Sequence, residues 1–240
     1  MLPASVELFA PAKLTLSLRI MGVRPDGLHL IEAEMVTLDF GDVIEVSQGQ
    51  RVTYSGAWRG AGASDDLVSR ALSLIGQRRR VHVTKRIPAG GGLGGGSSDA
   101  AAILRAAGFD DLEQAAKLGA DVAFCLVGGR ALVSGIGEIV EPLEFVDRTV
   151  TLLTPSLQCS TAAVYRAWDE LGGPTGDDGN DLEAAALAVE PGLAEWRDRL
   201  GDHAGRRPRL AGSGSTWFVE GEFPGEGMVV AHALPPQPTT

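Results

Sequence analysis

The sequence predicts an α+β protein with two lobes, a β-rich N-terminal lobe and a smaller α/β lobe at the C-terminal end. Three observations support this prediction. The chain opens with an alternating strand and further short strands, its middle runs from a strand through a glycine-rich loop into a helix, and its composition changes near residues 141–147. We therefore expect an N-terminal domain of residues 1–145 and a C-terminal domain of residues 146–240.

The first predicted element is a half-buried strand over residues 12–20. Its apolar residues share one face, namely Ala12, Leu14, Leu16, Leu18 and Ile20. Its polar residues share the other face, namely Lys13, Thr15, Ser17 and Arg19. The polar face therefore borders either water or a functional site.

A short β-rich meander completes the opening. Pro25-Asp26-Gly27 predicts a turn after the first strand, because proline and glycine supply the backbone angles that turns require. Two more strands are predicted around residues 35–38 and 43–46, with a junction at Gly41-Asp42.

The middle of the chain predicts a helix, a strand, a loop and a second helix. Asp65 or Asp66 is suited to cap a helix over residues 67–75, because aspartate accepts hydrogen bonds from helix N-terminal amides. A short strand is expected at residues 81–84. The glycine-rich loop then follows Pro88, and a helix is expected over residues 99–107.

The remaining elements follow from similar patterns. Further helices are expected at residues 112–117, 161–170 and 181–189, and Asp121 stands at the head of the apolar stretch 122–127. Strands are expected at residues 130–134, 149–153 and 216–219. A mobile loop is predicted at residues 172–179, and the tail 235–240 is expected to be frayed.

The loop from Gly90 to Ser98 has the composition of an anion-binding site. Glycines allow the backbone to approach a phosphate closely and to adopt positive φ. The unpaired amides and the dipole at the start of the following helix also favour negative charge. Ser97 and Ser98 could add hydroxyl groups or help to hold a magnesium ion.

Other classes of phosphate-binding loop, and a loop without a ligand, are alternative interpretations of this segment. A Walker A loop ends in Gly-Lys-Ser/Thr, and this loop has no lysine, so that class is excluded. Gly90, Gly92 and Gly95 match the dinucleotide-binding spacing GxGxxG, but the region of Asp110 and Asp111 is predicted to lie between helices instead of at a strand end. A nicotinamide dehydrogenase and a glycine hinge without ligand remain the alternatives.

The bulk composition limits the possible partners. The formal net charge is −10, which disfavours nucleic acid and anionic membranes, and the run 78–80 of three arginines is interpreted as a solvated surface. The two cysteines form no metal-binding pattern, so no metal site is expected, and Cys125 is expected in the core. No signal peptide or membrane span is expected, which favours a cytoplasmic protein.

Three motifs in the expected order resemble those of the GHMP kinases. The first is Pro-Ala-Lys-Leu-Thr-Leu-Ser-Leu at 11–18, the second is the glycine loop with its flanks at 88–101, and the third is Leu-Ala-Gly-Ser-Gly-Ser-Thr at 210–216. This resemblance implies a two-lobed kinase in which the N-terminal lobe binds ATP and the C-terminal lobe completes the substrate pocket.

Additional segments resemble one family within that group. They are Pro-Ala-Lys at 11–13, Arg-Pro-Asp-Gly-Leu-His at 24–29, Lys-Arg-Ile-Pro at 85–88 and Leu-Gly-Ala-Asp-Val at 118–122. Together they are similar to the 4-diphosphocytidyl-2-C-methyl-D-erythritol kinases. The resemblance implies phosphorylation of the 2-hydroxyl group of that small-molecule substrate in the non-mevalonate isoprenoid pathway, with ATP and Mg²⁺ as cofactors.

The resemblance also implies residue roles. Asp121 matches the catalytic aspartate and Lys13 the catalytic lysine. From the sequence alone, a helix N-cap and a solvated strand position are equally reasonable interpretations of these two residues. The loop residues matched to the phosphate-binding segment are Pro88, Ala89, Gly90, Gly91, Gly92, Leu93, Gly94, Gly95, Gly96, Ser97 and Ser98. The residues matched to substrate binding are Thr15, His29, Thr161, Tyr165, Gly212 and Ser213.

Two positions depart from the family pattern. Thr15 stands where asparagine is usual, and Leu28 stands where an aromatic side chain often stacks on cytosine. These departures keep two alternatives open: a GHMP kinase for another small alcohol, and a non-catalytic nucleotide-binding relative. A monomer or a homodimer is expected.

Overall fold

The computed structural model describes residue 2, residues 4–56 and residues 66–236. Asp65, considered above as a helix cap, and residues 237–240 of the expected frayed tail lie outside the described residues. Within the described ranges the chain forms ten strands and seven helices arranged around two sheets, which confirms the α+β class.

The N-terminal sheet is organised around the long strand β2 (His29–Ser47), which pairs with three other strands. Strand β1 (Val6–Val23) pairs antiparallel with β2, and the predicted turn at 25–27 joins them, with Gly27 at φ +83°. The second half of β2 pairs with β4 (Arg80–Lys85), and its first half pairs with β5 (Arg130–Gly135). At the edges lie β3 (Arg51–Gly56), parallel to β4, and β6 (Ile139–Pro142), antiparallel to β5.

The prediction of two strands meeting at Gly41-Asp42 is wrong, because β2 runs through both residues. A Cβ atom at Gly41 would lie 2.2 Å from the carbonyl oxygen of Ala10 on β1. The glycine therefore permits a close approach of two backbones inside a sheet and does not form a turn.

The strict alternation predicted for β1 is also interrupted. The pairing register with β2 shifts between Pro11 and Lys13, between Thr15 and Ser17, and between Ile20 and Gly22. An extra residue in a strand moves the following side chains to the opposite face. As a result Leu14 and Leu18 pack in different core clusters, although the simple alternation placed them together.

Four helices follow in the N-terminal half. They are α1 (Leu67–Leu74), α2 (Gly95–Ala106), α3 (Leu112–Leu118) and α4 (Val122–Val127). Asp66 caps α1, since its carboxylate accepts a hydrogen bond from the Ser69 amide at 2.8 Å. Helix α2 begins earlier than predicted, directly after Gly94, which has φ +69°.

The C-terminal half contains an antiparallel sheet with the strand order β10-β7-β9-β8. Its strands are β7 (Thr149–Leu153), β8 (Arg209–Leu210), β9 (Trp217–Glu220) and β10 (Met228–His232). Its helices are α5 (Thr161–Glu170), α6 (Glu183–Val189) and α7 (Leu193–Ala204). The sequence patterns did not predict β3, β6, β8, β10 or α7.

The two halves share a buried core. One cluster combines β1 and β2 residues such as Leu14 and Leu38 with Leu152, Phe218 and Ala231 of the second sheet. The chain passes from the first sheet to the second between Pro142 and Thr149. The division into domains at residue 145 stays a prediction. No helix in the described part of the chain is long and apolar enough to cross a bilayer.

We predict that Phe218→Ala lowers the free energy of unfolding by about 3–5 kcal/mol, because it opens a cavity in the core shared by both halves. Phe218 is fully buried. Urea denaturation should still show a single transition by circular dichroism and by tryptophan fluorescence. The exposed Phe145 provides the control, and Phe145→Ala should cost less than about 1 kcal/mol. Separate transitions for the two halves would contradict a shared core.

Candidate active site

Lys13, which belongs to the first of the three motifs, is almost completely buried, with 5% of its surface exposed. Its ammonium nitrogen lies 3.2 Å from Asp121 Oδ2 and donates a hydrogen bond to Thr15 Oγ1 at 3.0 Å. Its backbone amide donates to the carbonyl oxygen of Leu93 in the glycine loop at 3.0 Å. The structure therefore brings together three residues that are distant in the sequence.

Asp121 stands at the N-cap position of α4, but its side chain makes no capping hydrogen bond. Its backbone is already in the helical region, with φ −81° and ψ −8°, whereas a capping residue is usually extended. The side chain is 32% exposed, so the carboxylate contacts Lys13 and also reaches solvent. This geometry favours the ion-pair interpretation over the simple N-cap.

The glycine loop is confined between β1 and the segment 210–216. Gly90, Gly92 and Gly94 have φ between +69° and +74°. A Cβ atom at Gly94 would lie 2.6 Å from Lys13 Cγ, and one at Gly92 would lie 2.6 Å from the carbonyl oxygen of Ala211. Larger residues at these positions would displace the loop or its neighbours.

On one side of the loop lies a cavity that we call the loop cavity. It is lined by the loop and by side chains of β3, β4, α1 and α2, namely Tyr54, Asp66, Leu67, Val68, Lys85, Ile87, Pro88, Ala89, Gly90, Gly91, Gly92, Leu93, Gly94, Gly95, Gly96 and Asp99. Helix α2 begins within this lining, which directs its unpaired amides to the region of the cavity.

Two of the predicted loop residues do not line this cavity. Ser97 and Ser98 are both absent from its wall. The buried Ser98 hydroxyl donates to the carbonyl oxygen of Pro11 at 2.5 Å, and its proposed contribution of a hydroxyl group or of magnesium binding stays a prediction. Ser98 joins α2 to β1.

On the other side lies a second cavity, which we call the Lys13 cavity. All six predicted substrate-binding residues line it, together with the two predicted catalytic residues: Thr15, His29, Thr161, Tyr165, Gly212, Ser213, Lys13 and Asp121. Gly92 and Gly94 line both cavities. The two spaces therefore meet at the glycine loop, beside the Lys13–Asp121 pair.

Aromatic and charged side chains form the far end of the Lys13 cavity. His29 Nε2 lies 2.9 Å from Asp169 Oδ1, and the His29 ring lies 4.8 Å from the ring of Tyr165 and 5.6 Å from that of Trp168. Burial and the charge of Asp121 raise the pKa of Tyr165 to about 12, so its hydroxyl is neutral near pH 7. Sequence reasoning missed the contribution of Asp169.

A buried cluster of three charged side chains contacts the segment that leads into the glycine loop. Lys85 Nζ pairs with Asp42 and lies 2.6 Å from Asp99 Oδ2, and Asp42 Oδ1 accepts a hydrogen bond from the Ile87 amide at 2.8 Å. Lys85 belongs to the motif that precedes the loop, but its two partners lie on β2 and α2, and sequence reasoning did not identify them. Burial raises the pKa of Asp99 to about 8.

Acidic, histidine and cysteine side chains of the described residues form no group of three or more that could hold a metal ion. Cys125 is buried, as expected.

Comparison with known proteins matches this chain to a family. The model of the GHMP kinase N-terminal domain matches residues 66–129. The chain is similar to a 4-diphosphocytidyl-2-C-methyl-D-erythritol kinase of Ruegeria pomeroyi, with 37% identity over 93% of this chain and 90% of the relative. A protein of the same name from Paracoccus denitrificans is 36% identical over 87% of this chain and 84% of the relative.

Solved structures agree with this similarity. A crystal structure of 4-(cytidine 5'-diphospho)-2C-methyl-D-erythritol kinase superposes with a TM-score of 0.75 and 30% identity, over 95% of this chain and 99% of the other. A mevalonate kinase structure, with a TM-score of 0.58 and 12% identity over 96% of this chain and 99% of the other, shows the shared fold alone. The predicted two-lobed GHMP kinase fold is confirmed.

We predict that Asp99→Asn becomes more stable relative to the wild type as the pH rises from about 5 to about 8. In the native state Asp99 keeps its proton up to a pKa of about 8, whereas in the unfolded chain it loses the proton near its ordinary value of 3.8. The native state therefore binds more protons in this range, and the wild-type free energy of unfolding falls as the pH rises.

Urea denaturation of both proteins at several pH values measures this difference. Asp110→Asn, which changes an exposed carboxyl group, is the control. Parallel stability profiles for Asp99→Asn and the wild type would contradict the prediction.

Proposed function

The chain belongs to the family of 4-diphosphocytidyl-2-C-methyl-D-erythritol kinases, and on this premise we propose that it transfers the γ-phosphoryl group of ATP to the 2-hydroxyl group of 4-diphosphocytidyl-2-C-methyl-D-erythritol. The observation that carries this proposal is the meeting of two cavities at Gly92 and Gly94, beside the Lys13–Asp121 ion pair. Such an arrangement allows a donor phosphate and an acceptor hydroxyl to approach each other across the loop.

The loop cavity would hold the donor. Positive φ at Gly90, Gly92 and Gly94 and the start of α2 within the loop provide backbone amides without bulky side chains, which suits the phosphates of ATP. Magnesium would enter with ATP and offset the phosphate charge. Since the described residues offer no acidic cage, phosphate oxygens and water would supply most of its ligands, which is usual for nucleotide-bound Mg²⁺.

Asp121 and Lys13 would act on the acceptor. The partly exposed carboxylate of Asp121 would accept the proton of the attacking hydroxyl group or orient that hydroxyl. The ammonium group of Lys13, 3.2 Å away, would pair with the Asp121 carboxylate and would stabilise the negative charge that develops during transfer. Thr15 fixes the direction of the ammonium group through its 3.0 Å hydrogen bond.

The far end of the Lys13 cavity would hold the cytidine group. His29, held by Asp169, offers its other ring nitrogen for hydrogen bonding, and Tyr165 offers an aromatic face. Leu28 also lines this cavity and is 46% exposed, so an aliphatic side chain would cover the base. Thr161 and Ser213, whose hydroxyl oxygens lie 3.0 Å apart, close the cavity between these two ends.

Cytoplasmic location and a monomeric or homodimeric state stay predictions of the sequence. The substrate is a small molecule, and the net charge of −10 gives no reason to add nucleic acid or an anionic membrane as a partner.

The direct test is incubation of the purified protein with Mg²⁺, ATP and 4-diphosphocytidyl-2-C-methyl-D-erythritol, followed by mass spectrometry and ³¹P NMR of the products. We expect a new phosphomonoester on the acceptor and one ADP for each acceptor consumed. A protein that binds ATP but leaves this acceptor unchanged would contradict the proposed substrate and would turn attention to other alcohols.

We predict that Asp121→Asn keeps ATP affinity within about twofold and lowers kcat by about 10²–10⁴-fold, the usual effect of removing an acid–base group. Asp121 lines only the Lys13 cavity, so the loop cavity should be unaffected. Steady-state kinetics and calorimetric titration with a non-hydrolysable ATP analogue measure the two quantities. Asp169→Asn, at the far end of the same cavity, is the comparison variant and should raise the acceptor KM much more than it lowers kcat.

A kcat of Asp121→Asn close to the wild-type value would remove Asp121 from its proposed role.

A further inference from the structure

Asn180 is a buried polar residue to which the resemblance assigned no role. Only 3% of its surface is exposed. Its side-chain nitrogen donates hydrogen bonds to the carbonyl oxygens of Leu210 and Gly212, both at 2.8 Å, and its side-chain oxygen accepts one from the Leu182 amide at 3.0 Å. An amide side chain with this many partners holds its neighbours in one geometry.

The Gly212 carbonyl group belongs to the turn that borders the Lys13 cavity, and the Leu210 carbonyl group directly precedes this turn. Gly214 N donates to Ala211 O at 3.0 Å, and Gly212, at φ +60°, occupies the first central position of this turn. Gly212 and Ser213 line the Lys13 cavity, and a Cβ atom at Gly212 would lie 3.5 Å from Thr15 Oγ1. Among the described residues, the backbone amides of Gly212 and Ser213 have no hydrogen-bond acceptor.

The residues beside Asn180 attach it to the strand that carries Lys13. Leu18 N donates to Gly179 O at 2.7 Å, and Asp181 N donates to Leu18 O at 2.9 Å. The Asp181 carboxylate accepts hydrogen bonds from Arg19 at 2.7 Å and from the Ile20 amide at 2.9 Å. The loop 172–179, predicted to be mobile, is thus tied to β1 at its end.

We propose that Asn180 is a positioning residue for the acceptor substrate: it holds the turn 211–214 so that the free amides of Gly212 and Ser213 remain in the wall of the Lys13 cavity and bind an anionic oxygen of the acceptor. This inference rests on the proposed function. The acceptor carries a diphosphate group, whose oxygens suit paired backbone amides. The turn residues Gly212 and Ser213 line only the Lys13 cavity, so the effect belongs to the acceptor and not to ATP.

The test compares Asn180→Asp with Asp181→Asn. Asn180→Asp keeps an oxygen for the Leu182 amide but replaces the donor group by an acceptor that faces two carbonyl oxygens. Asp181→Asn weakens the attachment of the same segment to β1 without touching the turn 211–214. A loss of stability alone should therefore be seen in both variants. A loss of acceptor positioning should be seen only in Asn180→Asp.

We expect Asn180→Asp to raise the acceptor KM about tenfold or more, as loss of hydrogen bonds to an anion would, and to change the ATP KM by less than about twofold. Asp181→Asn should keep both KM values within about twofold. Hydrogen–deuterium exchange of peptides covering residues 210–216 should increase in Asn180→Asp and not in Asp181→Asn. If Asn180→Asp does not fold, Asn180→Ala replaces it in the same comparison.

The positioning role would be overturned if Asn180→Asp and Asp181→Asn had equal acceptor KM values. It would also be overturned if Asn180→Asp raised the KM for ATP and the KM for the acceptor equally. A wild-type protein that transfers no phosphate to this acceptor would overturn the proposed function instead, and the exchange measurement would still show whether Asn180 holds the turn.

Discussion

Lys13 carries a positive charge that the fold removes almost completely from water. A buried ammonium group without partners would cost several kcal/mol, so its surroundings are constrained. Asp121 supplies the opposite charge, Thr15 accepts a hydrogen bond, and Gly94 leaves room for the side chain where a Cβ atom would collide with it. Burial of this one ammonium group constrains the position of the glycine loop, the start of α4 and the polar face of β1.

The same constraint explains why the site needs both halves of the chain. Strand β1 presents Lys13 to the N-terminal helices, while its buried Leu14 packs against the second sheet in a common core. The segment 210–216 of the C-terminal half touches the loop directly, since Thr216 N donates to Gly91 O at 3.2 Å. The loop is therefore held between two packed surfaces instead of being carried on one lobe, which suits a reaction that requires close alignment of two substrates.

Local patterns in the sequence predicted much of this arrangement. The glycine loop, the strand over residues 12–20 and the cap at Asp66 depend on neighbouring residues, and the structure contains all three, although the alternation of the strand is interrupted. Features that depend on distant pairing were missed: the close approach at Gly41, the shift of register before Ser17, and the burial of Asp42 and Asp99 around Lys85. Helix α7, which was not predicted, has apolar Leu193, Trp196 and Leu200 at helical spacing, a pattern that indicates a helix with one buried face. The grouping of the six predicted substrate-binding residues in one cavity agrees with the family resemblance, whereas their individual roles stay predictions.

We propose that Lys13 and Asp121 act as one catalytic unit, and a double-mutant cycle on kcat tests this role most directly. Lys13→Met, Asp121→Asn and the double variant would be compared with the wild type at saturating ATP and acceptor. Residues that act as a unit are strongly non-additive. We predict a kcat for the double variant within about threefold of the slower single variant. Losses that multiply, so that the double variant is slower by the product of the two single effects, would contradict the account.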